Sequence, residues 1–109
     1  MQLNVHEAQG VTVISPTGGI MMGDNALSEA VDSILASGAR NILINLGHVA
    51  FMDSFGVGQL LGCYTTVTDQ GGLLKLCELS PRMSSILQIT KLNTVFEVYK
   101  SEAEAMESF

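Results

Sequence analysis

The chain has 109 residues, 47% hydrophobic and 15% charged, enough to bury one core and too apolar for an intrinsically disordered segment. Five Lys and Arg against eleven Asp and Glu leave a formal charge of −6, and the basic residues Arg40, Lys75, Arg82, Lys91 and Lys100 are scattered, which excludes a phosphate-tracking nucleic-acid surface. No apolar run approaches the ~20 residues of a membrane span, and the opening Met1-Gln2-Leu3-Asn4-Val5-His6 lacks the basic and apolar regions of a signal peptide, so a soluble cytoplasmic protein without membrane insertion is expected.

Leu3 to Glu7 and Val11 to Ser15 read as two strands joined by a Gln9-Gly10 turn, an antiparallel hairpin. After a loop holding Pro16, Gly18 and Gly19, a helix begins near Asp24 or Asn25, with Leu27, Ala30, Val31, Ile34 and Leu35 on one face and Gly38 as its stop. Residues 41–46, rich in β-branched and aliphatic side chains, form a third strand. Val57, Leu60, Leu61, Tyr64 and Val67 then recur at helical spacing, predicting a helix that starts at Ser54 and closes around Asp69-Gln70-Gly71-Gly72.

Leu73 to Cys77 is the fourth strand, and Ser80-Pro81 opens a third helix with serine as cap and proline in the first turn, turning Met83, Ile86 and Leu87 inward. Val95 to Tyr99 alternates as the last strand, and Ser101 caps a short helix whose Glu102 and Glu104 suit the positive end of its dipole. Strands alternating with helices predict an α/β layer with parallel strands, the opening hairpin adding an antiparallel edge. With no linker, repeat or low-complexity stretch, residues 1–109 are expected to be one domain, and the edge strand at Leu3 to Glu7 leaves a homo-oligomer open.

The most informative segment is Asp53-Ser54-Phe55-Gly56-Val57-Gly58, at the junction of a strand and a helix. The first N–H groups of a helix lack intrahelical partners and its dipole favours negative charge there, so a phosphate added to Ser54 would find donors. Serine and aspartate at such a place are also common caps, and Asp53 fits the N-cap position. Gly56 and Gly58 each cost helix stability of about 1 kcal/mol relative to alanine, which asks for a reason: close packing of the helix on the sheet, or the approach of another protein's backbone.

Catalytic chemistry finds little support. A serine nucleophile needs a base within hydrogen-bond reach, and the histidines are His6 and His48. Met52-Asp53-Ser54-Phe55-Gly56 lacks the first glycine of the Gly-x-Ser-x-Gly elbow, and neither a phosphate loop nor a metal-ligand cluster occurs, so the chain is read as a non-enzyme without cofactor or metal. Cys63 and Cys77, isolated from His partners, read as small hydrophobes in a reduced core.

Phe51-Met52-Asp53-Ser54-Phe55-Gly56-Val57-Gly58-Gln59-Leu60-Leu61-Gly62, the following Gln70-Gly71-Gly72-Leu73-Leu74-Lys75-Leu76, the Thr17-Gly18-Gly19 turn and the segment Gln88 to Phe96 together resemble the STAS domain of bacterial anti-sigma factor antagonists, over nearly the whole chain. The resemblance implies a mixed central sheet, here of about five strands, with about four helices mainly on one side. It implies that Ser54 is phosphorylated by a partner kinase, and that the partners are an anti-sigma factor with serine kinase activity and a PP2C-type phosphatase. The role implied is regulation of transcription by partner switching; the alternative within the family is a constitutive interaction module in a signalling scaffold or transporter complex.

The family commonly places the loop before the first helix beside the phosphoacceptor, which adds Met21, Met22 and Asp24 to Asp53, Ser54, Phe55, Gly56 and Gly58 as the expected partner-binding set. Three positions, in two places, depart from the family. Gly19 and Met21 stand where acidic residues are usual, and Phe55 stands where a small residue is usual. Met21 and Met22 are open between adaptable partner contact and ordinary packing, and Phe55 between an exposed anchor and a core ring.

Overall fold

The computed structural model describes residues 1–109. Its first element pair follows from one turn: Gln9 and Gly10 both take positive φ, 55° and 77°, the type I′ geometry whose twist matches that of paired strands. The strands β1 (Gln2–Ala8) and β2 (Val11–Ile20) therefore run antiparallel, with Ala8 opposite Val11 and Gln2 opposite Thr17. Then come α1 (Ala26–Ala36), β3 (Asn41–Asn45), β4 (Val49–Met52), α2 (Ser54–Asp69), β5 (Leu73–Cys77), α3 (Pro81–Ile89), a 3-10 turn (Leu92–Thr94), β6 (Glu97–Tyr99) and α4 (Glu102–Glu107). None of the helices is long and apolar enough to cross a membrane.

The strand order is β1-β2-β3-β5-β6, parallel except for β1, and β4 joins the sheet beside the far half of β2. Alternation along the strands sorts the core into two. Ile14, Ile42, Ile44 and Leu76 face α1, α2 and α3, meeting Leu27, Val31, Leu60, Val67, Met83 and Leu87. Val11, Val13, Leu43 and Cys77 face the other way, against Ala105 of α4. Three helices on one face and a short one on the other match the mixed α/β layer expected from the sequence.

Three stretches differ from expectation. β2 runs five residues past Ser15, through Pro16 to Ile20, because its edge changes partner: Thr12–Ile14 pair with β3, while Gly18–Ile20 pair with β4. Pro16 lies in the gap between the two ladders, where no hydrogen bond needs its missing N–H. β4 is the sixth strand, read from sequence as loop; only Val49 and Met52 of its four residues are buried, so it lacks the alternation that marks a strand. The last strand is also shorter than Val95 to Tyr99, since Phe96 turns into the core with its ring centroid 5.3 Å from that of Tyr64.

The predicted caps hold in the remaining helices. Ser80 Oγ accepts from the Met83 N–H at 3.2 Å and Ser101 Oγ from the Glu104 N–H at 3.1 Å. Lys75, on β5, is buried under the C-terminal residues: its Nζ donates to the Ser108 carbonyl at 2.8 Å and Ser108 Oγ at 3.0 Å, and lies 4.7 Å from the Phe109 ring centroid.

Candidate functional site at the start of helix α2

Asp53 is the N-cap of α2, in extended backbone, and Ser54 is its first residue. The two oxygens of the Asp53 carboxylate serve different elements. Oδ1 accepts from the Gly56 N–H at 2.9 Å, closing the helix end, and Oδ2 accepts from the Met22 N–H at 3.1 Å, holding the loop after β2. The Asp53 N–H in turn donates to the Ile20 carbonyl at 3.3 Å. These bonds, that from Gly56 first and that from Met22 second, hold the Asp53 carboxyl below its ordinary 3.8.

Asp24 plays a related part in α1. Asn25 occupies the N-cap position without a side-chain bond, and Asp24 Oδ1 accepts from the Ala26 N–H at 3.1 Å instead. That bond is the first cause of its lowered pKa. Gln59, one turn into α2, braces the two helix starts: its Nε2 donates to the Asp24 carbonyl at 2.7 Å and its Oε1 accepts from the Ser28 N–H at 2.9 Å.

Between these elements lies an open cleft of about 350 Å³ whose walls include Met21, Met22, Asp24, Ser54, Phe55 and Gly58. No lysine or arginine lines it. Ser54 is exposed, and the side chains beside it are apolar and face solvent: Phe55 is 60% and Met22 67% exposed. Phe55 is thus an exposed ring rather than a core one, and Met22 is not packed away.

The two glycines separate. A Cβ on Gly56 would run into the Ile20 carbonyl oxygen, with Met52 Cγ 2.6 Å away, so Gly56 is required by the close seating of α2 on the end of β2. Nothing lies within 4 Å of where a Cβ on Gly58 would be. Of the expected set, then, Asp53 and Gly56 build the site from beneath, while Met21, Met22, Asp24, Ser54, Phe55 and Gly58 form its surface.

Sequence reasoning missed Gln59, whose signal is a polar residue between Gly58 and the fully buried Leu60. It also missed a half-buried polar bridge on the opposite face, where Asn45 Nδ2 donates to Glu78 Oε2 at 3.1 Å and Glu102 Oε1 at 3.0 Å. His48 lines a second cleft there with Asn45 and Glu102, on the α4 side, so it is not a base for Ser54.

Comparison with known proteins places this geometry in a family. The STAS domain model matches residues 2–105. The anti-sigma F factor antagonist of Paenibacillus polymyxa is 25% identical over 97% of this chain and 92% of its own length. The crystal structure of an anti-sigma factor antagonist from Mycobacterium paratuberculosis superposes with a TM-score of 0.87 at 25% identity, over 98% of this chain and 92% of that one. The Bacillus cell fate determinant SpoIIAA in its phosphorylated form has a TM-score of 0.74 at 24% identity, covering 98% of each chain, and shares the fold. The Asp53-Ser54 junction, the Gly56 seat and the six-stranded mixed sheet thus stand in a chain that belongs to the STAS domain family.

Proposed function

We propose that this protein is an anti-sigma factor antagonist whose Ser54 surface docks on an anti-sigma factor with serine kinase activity and displaces the sigma factor. Phosphorylation of Ser54 ends the contact, and a PP2C-type phosphatase restores it. Its place of action is the cytoplasm, where it regulates transcription without touching DNA. The observation that carries this reading is an exposed hydroxyl at the first position of α2, ringed by solvent-facing Met22 and Phe55. Relatives named as antagonists, and a structural neighbour solved in a phosphorylated form, support it.

The physics of the switch follows from the cleft. Unmodified, the surface offers apolar contact and one neutral hydroxyl, and docking costs little desolvation. A phosphate adds about −1.5 to −2 charges beside the carboxylates of Asp53 and Asp24, with no basic side chain in the cleft to neutralise it. The unpaired N–H groups of the first α2 turn and the helix dipole hold it in the free protein, so the fold tolerates it. Buried in an interface it loses its water, and a loss of about 3 kcal/mol weakens binding by more than a hundredfold.

The test is the intact mass of wild type and Ser54→Ala after incubation with the candidate kinase and ATP, with binding to that kinase measured alongside for Ser54→Ala and Ser54→Asp. One added phosphate on wild type alone, with loss of binding for Ser54→Asp, is the expected result. No added phosphate, with equal binding for both variants, would make the protein a constitutive interaction module instead.

A further inference from the structure

Among the open edges of the sheet, β1 is the longest, with seven residues in unbroken register with β2, against four in β4 and three in β6. Natural edges are commonly blunted by short length, lysine, proline or a bulge. β1 has none of these, and five of its seven residues are exposed.

The turn fixes which way its main chain points. In a two-residue type I′ hairpin the closing pair, Ala8 with Val11, is hydrogen-bonded, and the alternation then makes His6–Val13, Asn4–Ser15 and Gln2–Thr17 the other bonded pairs. The even positions of β2 point away from β1, as the Gly18 N–H does in donating to the His48 carbonyl at 3.2 Å. Leu3, Val5 and Glu7 therefore present their N–H and C=O groups to the open edge. Their side chains share one face, that of the main core, which Leu3 joins, while Asn4 and His6 stand on the α4 face.

We propose that β1 pairs antiparallel with β1 of a second copy about a two-fold axis through Val5, making one continuous sheet across two protomers. The segment is complementary to itself in this register, which pairs all three outward-facing residues within β1. Val5 meets Val5, Leu3 meets Glu7 and Asn4 meets His6, each of the pairs formed by the outward-facing residues exchanging two hydrogen bonds. At the centre stands a β-branched residue 47% exposed in one protomer, and no like charges face each other. Moving the axis to Glu7 sets two carboxylates directly opposite, and moving it to Leu3 leaves Glu7 unpaired. Centring on Asn4 or His6 uses fewer of the free groups.

The outward direction of the Val5 N–H supplies a selective test. Val5→Pro removes a donor only from the intermolecular ladder, keeps every β1–β2 bond, and stands at an edge position that accommodates proline. Val5→Lys leaves the backbone intact and sets two ammonium groups against each other on the axis. Sedimentation equilibrium at about 100 μM chain, a concentration suited to a small transient interface, should give the dimer mass for wild type. It should give the monomer mass for Val5→Pro and an association at least tenfold weaker for Val5→Lys, with the wild-type circular dichroism spectrum retained. A monomeric wild type overturns the proposal, as does a Val5→Pro or, should that variant not fold, a Val5→Lys protein that associates like wild type. Neither kinase nor anti-sigma factor enters the experiment, so its outcome is independent of the proposed function.

Discussion

Asp53 and Met22 lie 31 residues apart in the chain and are joined by a hydrogen bond of 3.1 Å from the Met22 N–H to the Asp53 carboxylate. One side chain thus fixes both the end of α2 and the loop that completes the cleft. Asp53→Ala should free the loop: the amides of Met22 and Gly56 exchange faster with solvent and the melting temperature falls, while the central sheet keeps its protection.

The same carboxylate sets a pH dependence. Its folded pKa is depressed, so its contribution to stability is present above the unfolded value near 3.8 and is lost as pH falls through the folded one. Following the Met22 and Gly56 amide shifts by NMR through an acid titration should show both moving together below the ordinary carboxylate range. Asp53→Asn should abolish the coupled movement.

Gly56 and Gly58 should answer alanine in opposite ways. Gly56→Ala drives a methyl into the Ile20 carbonyl and should cost about 3 kcal/mol or more, read by urea unfolding. Gly58→Ala meets nothing and should stabilise the helix by about 0.5–1 kcal/mol. If the open space over Gly58 receives a partner's backbone, the stabilised Gly58→Ala protein should nonetheless bind the proposed anti-sigma factor more weakly.

Phe55 has a prediction of the same kind. With 60% of its surface exposed, Phe55→Ala should leave the melting temperature close to that of wild type. Loss of an aromatic anchor should weaken docking roughly tenfold or more, read by calorimetry against the partner.

Cys63 and Cys77 are both buried, and burial is the first cause pushing their thiols up, to about 11 and about 12. Neither should react with a thiol reagent near neutral pH until the protein unfolds. Because the folded values are raised, the stability these thiols confer is intact below the unfolded value of 9.0 and declines as pH rises above it towards the folded ones. Urea midpoints measured across that range should fall in wild type and fall less in Cys77→Ala.

Much of the fold was legible because it is written in local signals. The Gln9-Gly10 turn, the Ser80-Pro81 and Ser101 caps, and the spacing of Val57, Leu60, Leu61, Tyr64 and Val67 each specify an element from a few adjacent residues, though the buried face of α2 carries Cys63 where the spacing had Leu61. β4 and the end of β2 were not legible, since each is a strand only by virtue of the other and neither alternates. The site was legible at Asp53 and Ser54, where cap chemistry is local. Which glycine packs and which stays open depended on Ile20, more than thirty residues away, and Gln59 gained its meaning only when α1 came to rest beside it. Lys75, one cation among scattered ones in the sequence, is buried because the C-terminal residues fold over it.

The break at Pro16 divides one strand between two tasks. Residues before it are stitched into the central ladder; those after it, with β4, carry the loop and the seat of α2. Residues 18–24 and 49–55 therefore form one unit hung on their own pairing, and can change together while the ladders joining β2, β3, β5 and β6 keep their register.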